Sequence, residues 1–355
     1  VTQLNVELLR RLSEVAGVPG REEQVRELVR AEVLDLVDDV REDPMGNLIA
    51  LRRGTLPDGE RKRVMLSAHL DEIGFMVRHV DDKGYLRLQN LGGFDTRNLF
   101  ARNVTVWTKQ GPLPGILTPG GRPVHIASPE DRKKVPELRE FFVDLGLSGE
   151  DVKSRVRVGD MVTLDQAFRE VGELLCGKAM DDRAMVFVQI EALRALRDQP
   201  PAHDVYAVFS TQEEVGLRGA VTAAYSVEPD LGVALDVTLA VDTPGVEAHE
   251  AVTRMGEGVG IKLFDSSMIS TRWLVDEFVD LAEARGIPYQ LEVLPLGGTD
   301  AGAIQRSRGG VPSVTLSLPT RYIHTVVESI HRADTIATIE LLVAYLTRDG
   351  TSGTS

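Results

Sequence analysis

The run Asp204-Val-Tyr-Ala-Val-Phe-Ser210, closed by Thr211-Gln212-Glu213-Glu214-Val215-Gly216, decides how this chain folds. A short apolar run bounded by turn residues is the pattern of a strand buried on both faces. This one delivers two adjacent carboxylates at its end. Neighbouring carboxylates there are costly to bury without a cation or a shared proton. The competing reading is a solvated pair opening the next helix, where acidic side chains suit the macrodipole. Residues of the same kind at three other strand ends favour chemistry.

Working outward, Val64-Met-Leu-Ser-Ala-His-Leu70 is another buried strand and carries His69 and Asp71 at its end. Leu231-Gly-Val-Ala-Leu-Asp236-Val ends in an acid, and Pro312–Leu318 leads into Tyr322-Ile-His324-Thr325. Apolar residues at helical spacing predict helices over 4–16, 22–38, 181–196, to Tyr225, 270–285 and 335–348. Alternating strands and helices predict an α/β domain with a mixed, mainly parallel sheet flanked by helices. From about 74 to 165 helical periodicity gives way to short β runs separated by turn signals such as Asp82-Lys-Gly84 and Lys109-Gln-Gly111. One short polar helix is expected there, near 136–144. The expected organisation is an α/β catalytic domain of residues 1–72 and 166–355, with a small all-β domain of barrel or PDZ type inserted as residues 73–165. The tail 351–355 is expected to be disordered.

The chain of 355 residues carries a net charge of −14, with its acids spread along the length. That argues against nucleic acid and anionic membrane as partners, since both select basic patches. Cys176 is the one cysteine; its place in Leu174-Leu-Cys176 suits a small buried residue better than a nucleophile. With no disulfide possible, no basic and apolar leader at Val1, and no apolar run near the ~20 residues of a membrane span, the expected compartment is the cytoplasm.

Open α/β sheets gather ligands at the carboxyl ends of their strands. Here those ends bring His69, Asp71, Glu213, Glu214, Asp236 and His324, and Asp181-Asp182 open a helix nearby. Two imidazoles among several carboxylates suit zinc, cobalt or manganese, and a bridging carboxylate allows two ions to share a water. Such a water needs a base that is not itself a ligand, which one of the paired glutamates can supply. Asp71, two residues past His69, is placed to hold that imidazole's second nitrogen.

Ser67-Ala-His69-Leu-Asp71-Glu-Ile-Gly, Lys178-Ala-Met-Asp181-Asp182-Arg183, Thr211-Gln-Glu213-Glu214-Val-Gly, Ala234-Leu-Asp236-Val-Thr and Tyr322-Ile-His324-Thr325 together resemble the motifs of the M42 metallo-aminopeptidases, the tetrahedral, self-compartmentalising peptidases. The motifs keep the family's order, with the inserted β region between the first and second, and the resemblance runs over roughly residues 4–347. It implies a zinc-peptidase-like α/β fold and two divalent ions, zinc or cobalt, with Asp182 as the bridging ligand. His69 and Asp236 would complete one site, and Glu214 and His324 the other. It further implies Glu213 as the general base, Asp71 as the residue orienting His69, peptides as substrates, and a homo-dodecamer assembled from dimers paired through the inserted domain.

His79, His203, His249 and His331 carry no comparable signal. His125, in Arg122-Pro-Val-His125-Ile, points to packing or a subunit contact. The loop Gly297-Gly-Thr-Asp300-Ala-Gly302 either borders the substrate pocket or is a loop needing positive φ. Two other functions fit parts of the pattern. Paired carboxylates also hydrolyse glycosides, and some sequences of this resemblance carry an endoglucanase label; two histidines and so many acids exceed what that chemistry needs. A metal-binding scaffold without catalysis has no use for a spare glutamate such as Glu213. The preferred N-terminal residue of the substrate lies outside the motifs.

Overall fold

Helix and strand alternate through the first and last parts of the chain, as the periodicity predicts, and the segment between them is built from strands. The structure is a computed structural model that describes residues 4–348, so the 351–355 tail lies outside the described residues. Helices α1 (Val6–Glu14) and α2 (Glu23–Val33) turn Leu8, Leu9, Leu12, Val25, Val29 and Val33 inward. Asn5 caps α1 by accepting the Leu8 N–H. The second helix stops at Val33 rather than Asp38: the chain turns there, leaving Leu34 59% exposed and returning Leu36 to the core.

Strands β1 (Asp39–Glu42), β2 (Leu48–Arg52) and β3 (Arg63–His69) lead to the inserted region. There β4 (Gly74–Val80), β5 (Leu86–Leu91), β6 (Arg102–Thr108), β7 (Gly111–Pro119), β8 (Phe141–Asp144) and β9 (Met161–Leu164) close a barrel in the order β4-β5-β8-β7-β6-β9. Short helices α3 (Pro129–Lys133) and α4 (Gly149–Arg155) decorate it. The helix expected over 136–144 is instead a single 3-10 turn followed by β8. The reason is alternation: Phe141 and Val143 point into the barrel's own core with Phe75, Val77, Leu86 and Val104, while Phe142 and Asp144 face outward.

The chain then re-enters the first domain through β10 (Arg169–Val171), β11 (Leu174–Gly177), α5 (Met180–Asp198), β12 (Asp204–Ser210), α6 (Arg218–Val227) and β13 (Leu231–Leu239). It finishes through β14 (Val259–Phe264), α7 (Arg272–Arg285), β15 (Tyr289–Val293), α8 (Asp300–Gln305), β16 (Ser313–Arg321), β17 (Glu328–His331) and α9 (Arg332–Leu346). Among the described residues eleven strands make one sheet, ordered β1-β2-β12-β3-β13-β16-β17-β11-β10, with β14 and β15 branching from β16. The central four, β12, β3, β13 and β16, run parallel, so their carboxyl ends share an edge.

The two faces of that sheet can be read from β3. Val64, Leu66 and Ala68 join the large core shared with α1, α2, α5, α7 and α9, whereas Met65 joins Val208, Ala223, Val227 and Ile304 under α6 and α8. Such two-sided burial accounts for the continuous apolar runs. Strand β13 does not end at Asp236, because Val237, Thr238 and Leu239 continue the parallel ladder with Leu318, Pro319 and Thr320. Cys176 is half-buried in β11, and His331 caps α9 by accepting the Ala333 N–H.

Candidate metal centre

The shared edge of β3, β12, β13 and β16 gathers the side chains expected from the sequence. His69 is the last residue of β3, and its ring is held at both ends. Nδ1 lies 3.0 Å from the backbone oxygen of Asp71, and Nε2 lies 3.1 Å from Asp181 Oδ1. Asp71 therefore fixes the imidazole chiefly through its carbonyl, since its carboxylate stands 3.7 Å away. That fully buried carboxylate has another task. It accepts the Glu213 and Glu214 N–H groups at 3.0 and 3.1 Å, setting the turn that presents both glutamates.

The aspartate pair divides differently from expectation. Asp181, not Asp182, reaches both imidazoles: Oδ1 meets His69, and Oδ2 lies 3.4 Å from His324 Nε2. Both residues have non-helical backbone angles at the start of α5, so their side chains diverge, and sequence adjacency could not say which points inward. Asp182 Oδ2 accepts the His69 N–H at 3.0 Å, and its Oδ1 is buried without a partner. Potential ligand atoms of His69, Asp181, Asp182 and Asp236 all lie within 4.8 Å of one another, as do those of Asp181, Glu214 and His324. Asp181 is the member common to both groups. Glu213 belongs to neither, although its Oε2 is 3.9 Å from His69 Nε2.

Residues outside the expected set hold this arrangement. Glu328, on β17, accepts the Asp181 N–H at 3.0 Å and the His324 N–H at 2.7 Å, tying the start of α5 to the loop that carries His324. Its spacing, four residues past His324, was the one available signal. Below the site, Glu72 receives Lys178 Nζ at 2.7–2.8 Å and the Gly17 N–H. The fully buried Arg183 donates to the carbonyls of Leu70, Leu12, Val15 and Gly17. Asp300 is buried behind the strands, accepting Ser67 and Ser210 hydroxyls at 2.7 and 2.5 Å. It does not line the cavity, whereas Gly297 and Gly298 of the same loop do.

Electrostatically the cluster lacks positive charge. Burial lifts Glu213, Asp182 and Asp236 well above the usual carboxylate range, neighbouring acids adding to it. Burial alone would also raise Asp181, but its two imidazole partners hold it below that range. Burial would lower His324; contacts with Asp181 and Glu214 instead push it up to about 11. Glu328 is pushed up to about 8 by burial and the Asp181 charge. Protons are thus being drawn to where cations would sit; Asp182 Oδ1 is buried with no hydrogen-bond partner, and Glu214 Oε1 has only His324 Nε2 at 3.5 Å. Mixed imidazole and carboxylate donors of this kind fit a divalent ion such as zinc.

The cluster forms one wall of a cavity of about 650 Å³. The barrel contributes Gly93, Phe94 and Asp95 to that cavity, so the inserted region is also part of the site. A side chain at Gly93 would press on His324 Nδ1 at 3.4 Å. Val326, just past His324, reaches into the barrel core and anchors the histidine's loop there.

Comparison with known proteins finds relatives over nearly the whole chain. A family model described as M42 glutamyl aminopeptidase matches residues 46–341. The lysyl aminopeptidase of Pyrococcus furiosus is 34% identical over 96% of both chains. An aminopeptidase from the archaeon Desulfurococcus kamchatkensis superposes with a TM-score of 0.90 and 38% identity, covering 97% of this chain and 94% of that one. The TET1 peptidase of Pyrococcus horikoshii, described as able to assemble into a tetrahedron or a large octahedral shell, gives a TM-score of 0.85 at 32% identity, covering 97% and 99%. Among the described residues no helix is long and apolar enough to cross a membrane.

Proposed function

The chain belongs to the M42 glutamyl aminopeptidase family, and from that premise we propose that it is a dinuclear metal-dependent aminopeptidase that removes N-terminal residues from peptides with Glu213 as general base. Membership makes it a metal-dependent peptidase; the ion count, the ligand roles and the base are our reading. His69, Asp181 and Asp236 would hold one ion and Asp181, Glu214 and His324 the other. Asp181 takes the bridging place first expected of Asp182, which stays at the edge of the first group. Zinc or cobalt in those sites would polarise the scissile carbonyl and lower the pKa of the attacking water.

The protein's own groups supply the rest. Glu213 Oε2 would take the water's proton and later pass it to the leaving amine. Its burial, which raises its proton affinity, suits a group that must hold that proton between the two steps. Asp71 and Glu328 act as positioning residues, the first on His69 and the Glu213-Glu214 turn, the second on Asp181 and His324. A substrate residue seated against the apolar cavity walls would displace water from beside the reacting carbonyl.

One observation carries the reading: a single carboxylate, Asp181, is common to two imidazole-containing groups while Glu213 stands beside both and belongs to neither. The test is Glu213→Gln, assayed together with its metal content. Two bound ions and a kcat loss of ~10²-fold or more are expected. A variant of full activity, or one that binds no metal, would refute the assignment. We also assign the inserted barrel, beyond walling the site, to subunit pairing within a dodecamer built from dimers. Exposed Val124, Ile126 and Val135 around His125 support that role, and light scattering of an Ile126→Glu variant checks it.

A further inference from the structure

Resting on the aminopeptidase reading, we propose that the substrate's N-terminal residue is neutral and apolar, of leucine or methionine type, rather than acidic or basic. Away from the metal cluster the cavity is walled by Phe94, Val237, Leu239, Leu294, Leu296 and Ile323. Leu239 and Leu296 are 39% and 80% exposed, so they present apolar surface to whatever enters. Phe94 is fixed in this wall by stacking on Phe75, with ring centroids 4.5 Å apart and planes 14° from parallel.

The charges that acidic or basic side chains would need are missing or already taken. Among the described residues no lysine or arginine lines the cavity. Lys262 lies behind the wall, fully buried, with Nζ 2.7 Å from Glu292 Oε1. Thr238, a lining residue, donates to that same oxygen at 2.5 Å, so the lysine's charge is already paired behind the wall. A glutamate side chain would therefore be desolvated with no counter-ion. For a lysine, the one lining carboxylate outside the cluster is Asp95, which already holds Arg97 through two contacts at 2.9 Å. A leucine or methionine side chain meets no such cost and covers the exposed wall.

The experiment uses the metal-loaded wild-type protein and the para-nitroanilides of Leu, Met, Ala, Glu and Lys, with N-acetyl-leucine para-nitroanilide as control. Leu and Met are expected to exceed Ala by ~10-fold or more in kcat/KM, and Glu and Lys by ~100-fold or more. A Glu or Lys substrate turned over best overturns the apolar assignment and leaves the aminopeptidase reading intact. No cleavage of any free-amine substrate, or equal cleavage of the acetylated one, overturns that reading and the proposal with it. Free leucine should also bind at least ~10-fold more tightly than glutamate or lysine in calorimetry, a measurement that requires no variant. Leu239→Arg should lower the Leu-to-Glu ratio of kcat/KM by ~10-fold or more; an unchanged ratio in a folded variant counts against the assignment.

Discussion

Replacing Glu22 by Gln should stabilise the protein, and only at neutral and alkaline pH. Glu22 is 3% exposed. Its Oε1 accepts the Gly20 N–H at 2.7 Å and the Gln212 N–H at 3.1 Å, bracing the turn that carries Glu213. Burial, and next the Asp71 charge, raise its pKa from 4.5 to about 7, against the pull of those N–H bonds. An acid whose folded value is raised contributes full stability below its unfolded value and loses it as pH climbs through the folded one. The window is therefore pH 4.5 to about 7. At ~1.36 kcal/mol per pH unit, ionised Glu22 costs the fold ~3 kcal/mol above that window. A glutamine keeps the acceptor oxygen and cannot ionise. With an unfolding entropy of ~0.75 kcal/mol/K for a chain of this length, Glu22→Gln should raise the Tm of the metal-free protein by ~4 °C at pH 8 and by ~0 °C near pH 4.5. Thermal unfolding followed by Trp273 fluorescence in a Trp107→Phe background reports on the α/β domain, because these are the two tryptophans and Trp107 sits in the barrel. A difference that stays flat between pH 5 and 8, or a variant less stable at pH 8, would show that Glu22 is not held protonated by its surroundings.

Four further outcomes follow from the same geometry. Arg183→Met leaves the carbonyls of Leu70, Leu12, Val15 and Gly17 without their shared donor and should cost ~3–5 kcal/mol, measured by denaturant unfolding; a loss under ~1 kcal/mol would refute it. Gly219→Ala would set a Cβ 2.4 Å from the Thr211 carbonyl oxygen and 2.3 Å from Asn47 Oδ1, so the turn carrying Glu213 and Glu214 must shift; a stability loss of ~1–3 kcal/mol with reduced kcat is expected. Asp181→Ala should lower metal stoichiometry at both positions and Glu214→Ala at one, read by elemental analysis after dialysis. Chelation of the wild-type protein should depress its Tm, since a ligand at ~100 times its Kd contributes ~2.7 kcal/mol.

Much of the site was legible because strand ends are legible. His69, Glu213 and His324 each follow a continuous apolar run, and a run buried on both faces must deposit its next polar residue at the sheet's edge. Asp236 was found by the same rule although β13 continues beyond it: its partners Leu318 to Thr320 extend the ladder, which sequence-local reading cannot see. The roles of Asp181 and Asp182 turn on the backbone angles at the start of α5, where adjacent identical residues carry no distinguishing pattern. Asp71 does lie beside His69, but the contact is made by its carbonyl, which depends on the loop's path and not on residue type. The 136–144 segment was misread because its charged residues suggest a solvated helix, while the alternation Phe141, Val143 that wins is two residues long on each face. Glu328 escaped notice for a related reason: β17 spans only Glu328–His331 and never declares itself as a strand. Part of what remained hidden was of one kind, contacts made by residues whose own segments are too short to announce an element. Those contacts, Glu328 bridging two backbone amides and Val326 pinning the His324 loop to the barrel, hold the second imidazole beside Asp181, so its placement rests on the part of the fold least visible in the sequence.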